Sequence, residues 1–115
     1  VLADGSECVL KAVSRTEALR KSHEHTTEGA IYERMMRLID TNREVINKAK
    51  PKVSKNSAGY YLWNIERNAM FDLTRVLVGS QGTLGIVTKA KIKLVEVKPK
   101  SKLLIIFMKD LEKQN

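Results

Sequence analysis

Val78-Gly79-Ser80-Gln81-Gly82-Thr83-Leu84-Gly85-Ile86-Val87-Thr88 is the stretch on which the reading of this 115-residue chain turns. Three glycines at three-residue spacing precede an abrupt onset of β pattern, which runs on as Lys89-Ala90-Lys91-Ile92-Lys93-Leu94. Glycine tolerates positive φ and lets another molecule come close to the backbone. The hydroxyls of Ser80 and Thr83 are interleaved with it. Two readings fit these residues. One is a turn that only feeds a strand. The other is a surface of N–H and C=O groups suited to a planar ligand with hydrogen-bonding edges. The loop lacks the Lys-Ser/Thr pair of a P-loop, and its spacing is not that of a dinucleotide fingerprint.

Working outward, the strand after the loop alternates cleanly. Leu84, Ile86, Thr88, Ala90, Ile92 and Leu94 share one face, and Lys89, Lys91 and Lys93 share the other. That pattern predicts one side on a core and one in water. Leu103 to Met108 is an unbroken apolar run, which predicts a strand buried on both faces. Before the loop, Phe71 to Leu77 reads as a short amphipathic helix, and the polar segment Asn64 to Ala69 as an insertion or a turn of helix.

The N-terminal half supplies the helices. Val1 to Ala3 and Glu7 to Val13 read as strands joined at Asp4-Gly5, a hairpin signal because both turn positions tolerate positive φ. Ser14-Arg15-Thr16-Glu17 fits a capping box ahead of a short helix to about Ser22. From Thr27 or Glu28 a second helix is marked by Ile31, Met35 and Leu38, broadened by Tyr32 and Ile39. Asp40-Thr41-Asn42 kinks or recaps it, and Pro51 stops it. The methionines read as core filler.

The segment Pro51 to Trp63 concentrates the aromatics beside Lys55, Asn56 and Ser57. It is either a binding edge, where a cation and an amide meet an anionic substrate with Tyr60 as a wall, or a loop whose aromatics pack beneath the sheet. His23 and His25 stand two apart and cannot share a helical face, and no third ligand has metal spacing, so no metal site is expected.

Composition bounds the rest. The length allows one domain at most. A net charge of +8 invites a nucleic-acid reading, but the lysines are spread over strand faces without interleaved aromatics, so no nucleic-acid partner is expected. Cys8 is alone, no basic-then-apolar leader opens the sequence, and no apolar run reaches a membrane span, which gives a cytoplasmic expectation. A chain that opens inside a strand and closes in the first turn of a helix reads as part of something longer.

The full loop string is more specific than its glycines. It resembles the Gly-Ser-Glu-Gly-Thr-Leu-Gly-Ile-(Val/Ile)-Thr signature of FAD-linked oxidases of the vanillyl-alcohol oxidase and p-cresol methylhydroxylase type, with Gln81 where most members carry Glu. Leu2-Ala3-Asp4-Gly5, Glu28-Gly29-Ala30-Ile31-Tyr32 and Asn56-Ser57-Ala58-Gly59-Tyr60 are similar to further segments of that family, in the same order. The resemblance implies an α+β fold, a mainly antiparallel sheet with helices on one face. Residues 1–98 would be part of the second FAD-binding subdomain and 99–115 the start of a substrate or cap domain. It implies cofactor contacts at Gly79, Ser80, Gly82, Thr83, Gly85, Ile86 and Val87, and substrate-side roles for Lys55, Asn56 and Tyr60. No catalytic residue falls in this stretch. Ser54 and Ala58 stand where carboxylate-oxidising members have Arg and Thr, so Lys55 would replace part of the acid clamp.

The implied function is part of an FAD-dependent oxidoreductase that oxidises a small substrate, such as a 2-hydroxy acid. Its partners would be the missing FAD-binding subdomain and the cap domain. FAD binding by this chain alone is expected to be weak or absent. The alternative is a non-enzymatic interaction module that pairs, with itself or another chain, through exposed strand edges.

Overall fold

The computed structural model describes residues 1–53, 56, 59–97, 100, 102–105 and 107. Seven elements follow in order: β1 (Val13–Ser14), α1 (Arg15–Ser22), α2 (Thr27–Thr41), α3 (Arg43–Lys48), β2 (Glu66–Arg67), β3 (Met70–Phe71) and α4 (Thr74–Val78). The strands form a small antiparallel sheet in the order β1-β3-β2, with Phe71 opposite both Val13 and Glu66. The α+β class expected from the sequence is therefore observed, on a sheet much smaller than expected.

Local chemistry sets the helix starts. The Ser14 side chain accepts from the Glu17 amide at 3.1 Å, and the Thr26 side chain accepts from the Gly29 amide at 3.0 Å. Each satisfies one of the amides that a helix N-terminus leaves without a partner. The predicted capping box is only half made, because the Glu17 carboxylate turns forward to Arg20 at 2.8 Å instead of back to Ser14. Asn42 separates α2 from α3, as the Asp40-Thr41-Asn42 signal suggests.

The core lies between α1 and α2 on one side and the sheet with α4 on the other. Ala18, Tyr32, Met36 and Ile39 meet Val13, Ile65, Phe71, Leu73 and Val76. Tyr32 and Phe71 are fully buried, with ring centroids 6.1 Å apart. The buried stripe of α2 is Gly29, Tyr32, Met36 and Ile39: the predicted Tyr32 and Ile39 are in it, while its centre lies one residue round from the predicted Ile31, Met35 and Leu38. Ile31 and Met35 sit at its margin, and Leu38 is exposed. Two adjacent apolar stripes run along this helix, and packing against Phe71 selects the one that carries the large ring.

A four-membered ion cluster ties the helices to the sheet. Arg15 pairs with Asp40 at 2.6 Å and with Glu66, while Arg43 pairs with Asp40 at 2.9 Å and with Glu66 at 2.6 Å. Burial favours the neutral acid at Glu66, but hydrogen bonds from Arg43 and Arg15 outweigh it, so its pKa lies below the ordinary value. Asp40 is lowered for the same reason by the same two arginines.

Three sequence expectations are corrected here. Asn64 to Ala69 is not helical: Glu66 to Phe71 forms a hairpin whose turn residues Asn68 and Ala69 have φ of 52° and 59°. Phe71 belongs to β3, so the helix predicted from Phe71 begins at Thr74. At the N-terminus the Asp4-Gly5 turn is present, with the Gly5 amide donating to the Leu2 carbonyl at 3.0 Å and the Leu2 amide to Ser6 at 2.9 Å. The flanking strands are not formed, apart from Val13.

The largest departure is at 84–107. Residues 85–97 form no strand, and Ile92, Leu94 and Val97 are 76%, 85% and 90% exposed. Leu103, Leu104, Ile105 and Phe107 are likewise exposed and outside any strand, so the predicted buried strand is not observed; Ile106 and Met108 lie outside the described residues. The radius of gyration is 19.5 Å, where a compact chain of this length has about 13 Å. A strand exists only where a neighbour completes its ladder. Among the described residues of 84–107, Ile86 alone pairs with another segment, through Val1.

Candidate functional site

The glycine stretch is built from α4 outward. The Asp72 carboxylate accepts from the Thr74 amide at 3.1 Å and its hydroxyl at 2.5 Å, which secures the entry to α4. The helix ends at Gly79, and Ser80 then donates both its amide, at 3.1 Å, and its hydroxyl, at 2.8 Å, to the Leu77 carbonyl. Ser80 is 4% exposed and acts as a C-terminal plug of the helix. This gives it a structural position that the loop motif alone does not reveal.

Beyond Ser80 the chain reverses. The Thr83 amide donates to the Ser80 carbonyl at 3.0 Å, and the Thr83 hydroxyl donates to the same oxygen at 2.6 Å. Gln81 and Gly82 between them have φ of 51° and 81°, the φ pattern of a type I′ turn. At Gly82 an added Cβ would meet nothing within 4 Å, so this glycine is required by its φ and leaves its backbone open on one side. Gly85 is required for a different reason: its Cβ would lie 2.9 Å from the Val1 carbonyl oxygen. Val1 and Ile86 exchange both hydrogen bonds of an antiparallel pair, at 2.8 and 2.9 Å.

The structure brings the substrate-side candidate Tyr60 to this turn. The Tyr60 hydroxyl lies 2.8 Å from Thr83 Oγ1. A Cβ on Gly79 would sit 3.3 Å from the Gly59 carbonyl oxygen, so the two backbones are in close approach there as well. Tyr61 and Trp63 pack edge-to-face at 5.0 Å, half-buried, while Tyr60 is 44% exposed. The aromatic cluster thus divides, part packed on itself and part turned to the glycine loop. Asn56 is exposed; Lys55, with Ser54, Ser57 and Ala58, lies outside the described residues.

Of the seven residues assigned to the cofactor, four have their amides engaged internally: Gly79, Ser80, Thr83 and Ile86. Among the described residues, the amides of Gly82, Gly85 and Val87 take no partner and are the donors left for a ligand. Ile86 and Val87 are 70% and 60% exposed. A set of backbone donors on an open turn can meet the acceptor edge of a planar ligand.

Comparison with known proteins finds relatives over part of the chain. Over 95 residues the chain is 36% identical to D-2-hydroxyglutarate dehydrogenase of Escherichia coli K12, covering 81% of this chain and 9% of that protein. Over 67 residues it is 42% identical to the glycolate oxidase subunit GlcD of Bacillus subtilis 168, covering 58% of this chain and 12% of that one. A D-2-hydroxyglutarate dehydrogenase of Pseudomonas putida matches at 31% over 78 residues. The chain is thus homologous, over part of its length, to D-2-hydroxyglutarate dehydrogenases and a glycolate oxidase subunit, proteins of the FAD-linked oxidase family. These relatives are enzymes, dehydrogenases and oxidases. The chain spans about a tenth of the length of the curated relatives it matches. No family model matches it, and no solved structure does.

Other features do not compete with the turn. An open cavity of about 530 Å³ lies between α1 and α2, lined by Arg15, Leu19, Ser22, His23, Met36 and Asp40 among others, and no predicted site residue borders it. His23 ends α1, with Nδ1 2.7 Å from the Leu19 carbonyl, to which it donates. Among the described residues, no group of three His, Cys, Asp or Glu is placed to hold a metal ion. No helix there is long and apolar enough to cross a membrane.

Proposed function

We propose that this chain is part of an FAD-dependent oxidoreductase that oxidises a small 2-hydroxy acid, and that it supplies one wall of the active site. FAD, when bound, would supply the hydride acceptor. Residues 1–98 would belong to the second FAD-binding subdomain and 99–115 would lead into a substrate or cap domain. The partners would be the remaining FAD-binding subdomain and that cap domain.

In this reading the Gly79–Thr83 turn and Gly85 to Val87 form the cofactor side, with the amides of Gly82, Gly85 and Val87 as donors. Tyr60 and Asn56 form the substrate side, and Lys55 supplies the positive charge for a substrate carboxylate. The observation that carries the reading is the junction of the two sides: Tyr60, predicted for the substrate, touches Thr83, predicted for the cofactor, at 2.8 Å. The names of the relatives, built on 2-hydroxyglutarate and glycolate, support the substrate class.

The test uses the intact protein that contains this chain. It should purify with bound flavin, and the flavin absorbance should bleach anaerobically on adding a D-2-hydroxy acid. Purification without flavin, together with failure to bind added FAD, would refute the cofactor assignment. Retained flavin that no 2-hydroxy acid bleaches would refute the substrate class alone.

A second reading has its own observation. Ile86, Ile92, Leu94 and Phe107 are 70% to 94% exposed on segments with alternating or continuous apolar pattern. Such backbone is a ready template for strand addition, which favours an interaction module that pairs with another chain or with itself. Sedimentation velocity separates the two: a concentration-dependent dimer without flavin would favour the interaction module.

A further inference from the structure

The two hydroxyls at the junction have a fixed direction. Thr83 Oγ1 carries one hydrogen, and it is donated to the Ser80 carbonyl at 2.6 Å. The contact between Tyr60 and Thr83 at 2.8 Å therefore has Tyr60 as donor and Thr83 as acceptor. Tyr60, Thr83 and Ser80 form a directed chain that runs from the predicted substrate side, across the turn, to the plug of α4.

The turn needs such a restraint. Gln81 is held at a φ of 51°, which side-chain-bearing residues seldom adopt, and a single amide bond from Thr83 to Ser80 closes the reversal. The hydroxyl of Thr83 adds a second bond to the same carbonyl, and Tyr60 fixes the rotamer that makes it. Gly79 allows the backbone approach at Gly59 that brings Tyr60 within reach.

We propose that Tyr60 is a positioning residue: it donates to Thr83 and holds the Gly79–Thr83 turn, so that the substrate-side segment sets the conformation of the cofactor-side turn. The assignment of the two sides rests on the function proposed above; the hydrogen-bonded restraint does not. Occupancy of one side is then felt at the other through Tyr60.

The experiment is amide hydrogen exchange on the intact protein, followed by FAD titration of the same variants. Tyr60 is 44% exposed and Thr83 is exposed, so neither substitution opens a core. Tyr60→Phe should speed exchange across 79–84 by roughly 2- to 12-fold, the effect of losing one neutral hydrogen bond. Exchange in α1 and α2 should not change. The effect should disappear when Tyr60→Phe is made on a Thr83→Val background and persist on Thr83→Ser, which keeps the acceptor.

FAD affinity should fall by a similar factor in Tyr60→Phe. Unchanged exchange at 79–84, or an equal increase on the Thr83→Val background, would overturn the proposal. Faster exchange with unchanged FAD affinity would overturn the cofactor-side assignment, and the coupling with it, while the hydrogen bond itself would stand.

Discussion

Gly29 offers the sharpest test of the packing, because two effects of known sign oppose each other there. It occupies the first turn of α2, where it is buried against the turn that joins α1 to α2. By helix propensity alone, Gly29→Ala would stabilise by up to about 1 kcal/mol. In the folded chain, however, the new Cβ would lie 2.1 Å from the Glu24 carbonyl oxygen and 2.9 Å from that of Lys21. Both neighbours are backbone, so no side chain can swing aside. The Glu24 carbonyl would have to retreat by more than an ångström to reach ordinary contact, which begins at 3.4 Å. That carbonyl accepts the Thr26 amide at 2.8 Å, and Lys21 accepts the Glu24 amide at 3.0 Å, so the retreat disrupts the whole turn.

Overpacking costs about 1–3 kcal/mol even where side chains can adjust. With a rigid neighbour and a lost hydrogen bond worth about 1 kcal/mol, the clash sits at the top of that range or above it. The net expectation is a loss of about 2 kcal/mol or more. For a domain of this size that is a melting-temperature fall of about 8 °C or more, read by circular dichroism or calorimetry. A Gly29→Ala variant that melts at or above the parent would refute the placement of α2 against the 21–26 turn.

Two further substitutions probe the interior and the ion cluster. Tyr32 is fully buried, and its hydroxyl has no hydrogen-bond partner among the described residues. Tyr32→Phe should therefore be neutral or stabilising, by up to about 1–3 kcal/mol in a urea melt, and a clear loss would mean that the hydroxyl is satisfied in solution. Glu66→Gln removes the carboxylate shared by Arg15 and Arg43 and should cost about 1–2 kcal/mol, discounted because both arginines are partly exposed. Glu66 and Asp40 have lowered pKa values in the folded state, so their stabilisation is complete above the unfolded carboxylate range and is lost as pH falls below about 4.5. The same loss should be shallower in Glu66→Gln, in melts recorded from pH 6 to pH 3.

What was legible in the sequence was what a short window decides. Ser14 and the 27–41 periodicity announce α1 and α2, and Asp4-Gly5 announces its turn, because caps, periods and turn residues act over a few positions. The face of α2 was legible only in part: Tyr32 and Ile39 belong to the apolar pattern, but Ile31-Tyr32 and Met35-Met36 are adjacent apolar pairs, and packing against Phe71 decides which member is buried. The Glu66–Phe71 hairpin was hidden because its turn places Ala69 at positive φ, where sequence rules look for glycine. The alternation of 84–94 is a genuine pattern without a formed strand, since periodicity specifies faces and a ladder needs a neighbour. For the site, the glycines pointed to the turn, but nothing in the spacing of Tyr60 and Thr83, 23 residues apart, foretold their contact.

The same geometry decides whether this chain can hold FAD unaided. With the amides of Gly79, Ser80, Thr83 and Ile86 engaged, three of the assigned residues, Gly82, Gly85 and Val87, still offer backbone donors. Three such bonds contribute about 1.5–4.5 kcal/mol at ~0.5–1.5 each. Association at the standard state costs roughly 4–15 kcal/mol before any surplus shows as affinity. Ile86 and Val87 beside the turn are exposed, so they add little apolar burial. The 115-residue chain alone should therefore bind FAD weakly or not at all, while the intact protein holds it. Isothermal titration of the isolated chain that gave a micromolar or tighter Kd would mean that donors or apolar contacts beyond these three amides complete the site, and the division of labour between this chain and the rest of the protein would have to be redrawn.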